Sequence, residues 1–236
     1  MERLVHDSSV YGIRLSAEQS GQLERYLSLL TEWSGRVNLV GNVDPETVLS
    51  RHFLESIALG AALREREILR PGSTVLDVGS GAGFPGAVLK IAWPAIEITL
   101  LDATARKTEF LSALVAELGL TGVRVLTGRA ETLAHDPGLR ARFDLVVSRA
   151  VAPLPALLEL TLPFARVGGR AVCVKGSRAT AEVEAAKGAL ERLGGTAFVV
   201  PFHVPGPAQS LIAVVKKRET PLQYPRRPGM PAKSPL

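Results

Sequence analysis

Cysteine is nearly missing from this chain of 236 residues, and the one present, Cys173, lies within the strand-like run Ala171-Val-Cys-Val-Lys175. A single thiol forms no intrachain disulfide and no cysteine zinc cluster. The histidines, His6, His52, His135 and His203, are scattered without ligand spacing, so no metal site is expected. The sequence has no apolar run of the length, about 18 residues, that a membrane-spanning helix needs. Its N-terminus lacks the basic-then-apolar pattern of a secretory signal, so no membrane association is expected and the cytoplasm is the expected compartment. Net charge is lacking except at one end. Lys and Arg total 28 against 23 Asp and Glu, a net +5. Beyond residue 215, Lys216, Lys217, Arg218, Arg226, Arg227 and Lys233 face only Glu219, so the tail carries the whole excess.

Glycine, by contrast, is concentrated where it matters, in Asp77-Val-Gly-Ser-Gly-Ala-Gly-Phe-Pro-Gly86. The short apolar run Ser73-Thr-Val-Leu76 before it suits a buried strand, and Phe84 to Trp93 after it is helix-like. Glycines in such a turn permit positive φ and close approach of a ligand. Gly81 to Gly86 has the spacing of a phosphate loop, but Ala87-Val88 stands where Lys-Ser/Thr is required, which excludes one. Gly81-Ala-Gly-Phe-Pro-Gly86 also fits the dinucleotide pattern G-x-G-x-x-G, a weak signal alone. Asp77 repels an anion at the strand end, and Pro85 removes a donor near the helix N-terminus. A cationic ligand without phosphate suits the turn better, and S-adenosylmethionine is one. Asp102, ending Ile96-Glu-Ile-Thr-Leu-Leu101, stands where an acid about 20 residues on takes ribose hydroxyls in nucleotide folds; it also suits a cap for the helix opened at Thr104.

From Pro71 onward strand candidates (74–78, 96–101, 123–127, 143–148, 170–175, 196–202, 210–215) alternate with helix candidates (84–92, 104–118, 153–165, 178–193), with Gly119 and Gly194 as C-terminal caps. This predicts an α/β fold with a mostly parallel sheet of seven strands covered by helices on both faces, spanning 71–216. Ligands bind such sheets at the carboxyl ends of the strands. Asp77, Asp102, Glu131, Arg149 and Lys175 fall at or just after five successive strand ends and outline one cleft. Residues 1–70 read as a helical extension, with a capping box at Ser16 to Gln19, an apolar stripe Leu23, Tyr26, Leu27, Leu30, and a second helix opened by Asp44-Pro45. The extension either only packs on the main domain or also walls the substrate side of the cleft. Residues 217–236 form a basic, proline-rich tail.

Order of strand, Asp, glycine turn, helix, strand and Asp resembles class I methyltransferases of the Rossmann-like kind. Leu101-Asp-Ala-Thr-Ala-Arg-Lys107, Arg129-Ala-Glu131, Ser148-Arg-Ala-Val-Ala152, Asn38-Leu-Val-Gly41, His52-Phe-Leu-Glu-Ser56 and Tyr224-Pro-Arg-Arg-Pro-Gly-Met-Pro-Ala-Lys-Ser-Pro-Leu236 extend the likeness over nearly the whole chain. Together with the glycine turn they resemble the RsmG (GidB) family, bacterial methyltransferases of guanine N7 in 16S ribosomal RNA. The resemblance implies that Gly79, Phe84, Asp102, Ala103, Thr104, Ala130, Glu131 and Arg149 line the S-adenosylmethionine site, with Asp77, Gly81 and Gly83 in the same turn, and that S-adenosylhomocysteine is the product. The acceptor would be 16S ribosomal RNA, in the small subunit or an assembly intermediate, and the enzyme is expected as a monomer.

Guanine N7 has a free lone pair at neutral pH, so no general base is required, and Arg149 is expected to position rather than to act as an electrophile. The chain lacks the Asn/Asp-Pro-Pro-Tyr motif of amino-group methyltransferases, and Cys173 sits mid-strand, away from where a cytosine C5 enzyme needs its thiol. Six tail cations around Tyr224 suit a segment that tracks RNA phosphates with one stacking platform. Arg106, Lys107, Lys175, Tyr224, Arg226, Arg227 and Lys233 are thus the expected RNA contacts, and loss of 217–236 should weaken RNA binding and spare the cofactor. A small-molecule methyltransferase, an NAD-dependent oxidoreductase and a cofactor sensor without turnover are the rival readings.

Overall fold

A computed structural model describes residues 1–41, 44–149, 152–204 and 209–236. Asn42 and Val43, in the expected break between N-terminal helices, and Ala150 and Val151 of the Ser148-to-Ala152 motif lie outside the described residues. One sheet organises the molecule. Its strands are β1 (Thr74–Val78), β2 (Glu97–Asp102), β3 (Val123–Thr127), β4 (Phe143–Arg149), β5 (Ala165–Lys175), β6 (Gly195–Phe202) and β7 (Gln209–Lys216). Their order is β3-β2-β1-β4-β5-β7-β6, parallel except for β7, which runs antiparallel to both β5 and β6. The sheet therefore grows in opposite directions from β1 and β4, and the crevice between their carboxyl ends is where such sheets bind ligands.

Helices cover both faces, which is why the central strands are apolar on both sides. Val75 packs with the helices of one face, α5 (Gly86–Ala92) and α6 (Ala105–Glu117), whereas Leu76 and Val78 pack with those of the other. The second face carries α7 (Ala130–Leu133), α8 (Leu154–Thr161), α9 (Ala179–Ala185) and α10 (Lys187–Leu193). The expected helix 178–193 is thus two, parted at Ala186, while Gly194 caps the second in the left-handed conformation at φ 83° as its position predicts. Strand β5 begins five residues earlier than expected. Gly169 permits this, because a Cβ there would lie 2.9–3.0 Å from the carbonyl oxygens of Arg166, Phe143 and Asp144.

The N-terminal region comprises helices α1 (Glu2–Val10), α2 (Ala17–Ser34) and α3 (Pro45–Val48), a π-helical turn Leu49–Leu54, and helix α4 (Glu55–Glu65). The capping box at Ser16 and Gln19 forms, and the Asp44 carboxylate accepts from the Thr47 N–H. These helices share one core with the sheet. Leu23, Tyr26, Leu30, Phe53 and Ile57 are buried together with Val75, Val88, Leu100 and Phe110. No helix among the described residues is long and apolar enough to cross a membrane.

Candidate active site

At the end of β1 the chain turns through Gly79, Gly81 and Gly83, all at positive φ (75°, 57° and 94°). The Gly79 N–H donates to Leu101 O and the Ser80 Oγ to Asp77 O, pinning the turn to β1 and β2. The glycines answer different needs. A Cβ on Gly81 would meet only the Gly79 carbonyl oxygen, 3.9 Å away, so this position faces open space. A Cβ on Gly83 would sit 2.5 Å from the Tyr26 hydroxyl, and one on Gly86 would sit 2.5 Å from Leu100 and 2.7 Å from Asp77 Oδ2. Gly83 is therefore required for packing on that side, where the Tyr26 hydroxyl donates to Ala82 O.

Asp77 is fully buried, and its Oδ2 accepts from the Gly86 N–H at 2.9 Å, the first residue of α5. Its carboxyl thus fills the helix N-terminus from inside the fold and buttresses the turn. Burial raises its pKa to about 7 against the hydrogen bonds from Gly86 and Ser80, and Oδ1 has no partner among the described residues. Asp102 bridges two loops: Oδ2 accepts from Gly81 N–H and Oδ1 from Thr104 N–H, each at 2.9 Å. It caps the turn before α6, and each oxygen keeps a further lone pair. Ala103, Thr104 and Arg106 are exposed beside it, and Lys107 is half-buried. Ala130 and Glu131 open α7 at the end of β3, both buried.

Arg149 ends β4 with its guanidinium turned toward the N-terminal helices. Nη1 donates to Arg51 O (3.1 Å) and lies 3.4 Å from Glu55 Oε2, Nη2 lies 2.8 Å from His52 Nδ1, and the group stands 5.4 Å from the centre of the Phe84 ring. Phe84 is stacked with Tyr26 at 5.3 Å and with His52 at 4.8 Å. The N-terminal extension therefore walls the cleft on its β4 side as well as packing on the sheet. His52, Glu55 and Tyr26 are residues that the sequence reading passed over as site members. The spacing of His52 and Glu55, three apart, is a signal that they share a helix face.

Several expected RNA contacts are otherwise engaged. Lys175 pairs with Glu182 at 2.8 Å and donates to Ala152 O. Tyr224 is buried, so it offers no stacking face, and Arg226 makes a forked pair with Glu159, a carboxylate with no exposure. The tail is a folded strap. Arg140 donates to Thr220 O and Tyr224 O, His135 Nε2 lies 2.8 Å from Pro225 O, and Gly229 N–H donates to Glu131 Oε1 at 2.9 Å. Arg227 and Lys233, the latter in a short helix Met230–Lys233, remain exposed.

The site fits a nucleoside cofactor and not a dinucleotide. A pyrophosphate needs free N–H donors at the helix after the glycine turn. Here Pro85 has none and that of Gly86 is taken by a carboxylate.

Comparison with known proteins agrees with this fold. The profile of the GidB family, described as rRNA small subunit methyltransferase G, matches residues 19–211. The chain is 42% identical over 239 residues to ribosomal RNA small subunit methyltransferase G of Dehalococcoides mccartyi (strain CBDB1), with all of both chains covered. It is 40% identical over 238 residues to the protein of the same name from Roseiflexus castenholzii (strain DSM 13941 / HLO8), again at full coverage. Among solved structures it is similar in fold to a SAM-dependent methyltransferase from Aquifex aeolicus (TM-score 0.52, 21% identity, 73% of this chain and 94% of that one). M. jannaschii TYW2, solved in complex with AdoMet, is similar at TM-score 0.51 and 15% identity, over 67% of this chain and 77% of that one. With a family match over most of its length and relatives alike from end to end, this chain belongs to the GidB family of methyltransferases.

Proposed function

We propose that the protein transfers the methyl group of S-adenosylmethionine to N7 of a guanine in 16S ribosomal RNA, releasing S-adenosylhomocysteine. The observation that carries the reading is the glycine turn, in which Asp77 closes the helix N-terminus to phosphate while Gly81 leaves open space beside Asp102. The names of the full-length relatives support the ribosomal RNA acceptor. The cofactor supplies an electrophilic methyl on a sulfonium. Asp102 accepts the ribose hydroxyls with its remaining lone pairs, Gly79 and Gly81 let the ligand approach the backbone, and Ala103, Thr104, Ala130 and Glu131 border the adenine side.

N7 needs no base, so the protein's task is alignment. Orientation can contribute about 7–11 kcal/mol to a two-reactant step, more than one proton-transferring group supplies. Positive charge passes onto the purine during transfer, and a bare cation beneath the ring would oppose it. Arg149 meets that condition because Glu55 lies against its guanidinium. N7 faces the deep major groove of A-form RNA, so the target guanine is unpaired or extruded.

The test is incubation with methyl-labelled S-adenosylmethionine and unmodified small ribosomal subunits, followed by nucleoside mass spectrometry. Label in 7-methylguanosine is expected. Label in another nucleoside would overturn the N7 assignment, and absence of label from protein that binds the cofactor would overturn the ribosomal acceptor.

A further inference from the structure

Four polar side chains from three parts of the chain meet at the crevice between β1 and β4. Arg149 comes from the end of β4, His52 and Glu55 from the π-helical turn and the helix after it, and Gln209 from the start of β7. Glu55 Oε2 lies 3.4 Å from Arg149 Nη1, and its Oε1 accepts from Gln209 Nε2 at 3.0 Å. A guanidinium can only donate, so His52 Nδ1, 2.8 Å from Arg149 Nη2, must accept, and the ring proton sits on Nε2. That N–H meets no side-chain acceptor among the described residues; the Arg51 carbonyl, which also lies near the ring, already accepts from Arg149 Nη1. His52 is half-buried, so its ring is not sealed into the core.

We propose that His52 Nε2–H donates to O6 of the guanine being methylated, while Arg149, Glu55 and Gln209 hold the imidazole in the tautomer and orientation this requires. The inference rests on the guanine N7 reading above and names the residue that selects the base. Guanine presents N7 and O6 as adjacent acceptors on one edge, so O6 remains free for recognition while N7 reacts. Adenine places an amino donor where guanine has O6, and two donors would then face each other. Stacking of His52 on Phe84, 4.8 Å apart with planes 18° from parallel, sets the imidazole beside the glycine turn on the β4 side of the crevice. Burial and the neighbouring Arg149 and Arg51 hold its pKa down at about 4. The ring therefore stays neutral and offers a donor without adding positive charge next to a purine that becomes cationic. The π-helical turn has a use here as well, because such turns recur where a helix must re-aim side chains at a functional site.

The test measures kcat/KM for unmodified small subunits, formation of 7-methylguanosine, S-adenosylmethionine affinity and melting temperature for the wild type and for His52→Asn, His52→Gln and His52→Ala. Asn keeps an acceptor for Arg149 near the Nδ1 position but does not reach the place of Nε2; Gln reaches it with an amide donor. We expect Asn and Ala to lower kcat/KM by about tenfold to a hundredfold, the loss of one hydrogen bond in a desolvated site. Cofactor affinity should hold, and Gln should restore most of the rate. Full activity in His52→Asn would overturn the assignment, as would a fall in cofactor affinity that matches the fall in rate, which would make His52 a packing residue. If His52→Ala does not fold, His52→Asn still decides, since Arg149 keeps its acceptor. A wild type that binds the cofactor yet forms no 7-methylguanosine would overturn the guanine reading, and this donor with it; 7-methylguanosine formed at equal rates by wild type and His52→Asn would overturn the donor alone.

Discussion

Gly81 and Gly83 are two residues apart and share positive φ, yet their surroundings make opposite demands. Alanine at either position meets the left-handed backbone penalty of about 1–2 kcal/mol. At Gly83 the new methyl also collides with the Tyr26 hydroxyl, and overpacking adds about 1–3 kcal/mol. Gly83→Ala should therefore cost about 2–5 kcal/mol of stability in denaturant unfolding. Gly81→Ala should cost only the backbone penalty of about 1–2 kcal/mol but should weaken S-adenosylmethionine binding in a titration, because its methyl enters the open space. Sequence could mark both as turn glycines. It could not tell them apart, since the partner that separates them, Tyr26, lies 57 positions upstream of Gly83 in a stripe legible only as apolar. Asp77 makes a second residue-scale prediction. Its pKa rises from 3.8 to about 7 on folding, so between those values the folded state holds a proton that the unfolded state has released. Its contribution is present below about pH 4 and is lost as pH climbs to 7. Asp77→Asn removes the ionisation, so the variant's stability relative to wild type should rise over that interval, by an amount on the order of 4 kcal/mol at most. Urea unfolding at pH 5 and pH 7.5 checks the sign. An unchanged difference would mean that Asp77 stays ionised in the fold.

Elements were largely legible because their signals are local. Strand ends, the capping box at Ser16, the Asp44 cap and the left-handed Gly194 follow from patterns of a few residues. The strap at the C-terminus was not, because a basic, proline-rich segment looks the same whether solvated or docked. What docks it is Glu159, an acid on α8 whose burial no local pattern announces. Removing residues 217–236 should accordingly lower the melting temperature and weaken S-adenosylmethionine binding, since the strap holds Glu131 through Gly229. This reverses the expectation drawn from sequence. A finer test is Arg226→Met, which leaves a buried carboxylate with the backbone N–H of residue 226 as its one donor among the described residues and should cost about 3 kcal/mol. Adding Glu159→Leu should recover most of that loss, because two apolar partners dispense with the desolvation of both charges. If the double variant were as unstable as the single one, packing rather than charge would hold the strap.

At the scale of the whole molecule, folding redistributes a charge that the sequence places in one tail. Lys216 is buried, donates to Ala165 O and has its pKa lowered to about 8 by burial; Arg226 is paired and Arg218 donates to Glu191 O. Lys217, Arg227 and Lys233 stay exposed, and the last two stand on the part of the strap that reaches Glu131. Arg106 and Arg129 are exposed at the starts of α6 and α7, at the same carboxyl edge of the sheet. RNA would thus meet cations fixed on a folded rim around the cleft, not a flexible tail. Each cation that neutralises a phosphate of single-stranded RNA contributes about −0.7 to the log-log slope of affinity against salt. Arg227→Ala/Lys233→Ala should therefore make the slope for unmodified 16S ribosomal RNA shallower by about 1.4, with melting temperature and cofactor affinity unchanged. A slope that does not move, measured by filter binding from low to high salt, would remove the strap from the RNA surface and leave Arg106 and Arg129 to carry it. A slope shallower by about 1.4 would mean that the strap serves both ligands, holding Glu131 from one side and the RNA backbone on the other.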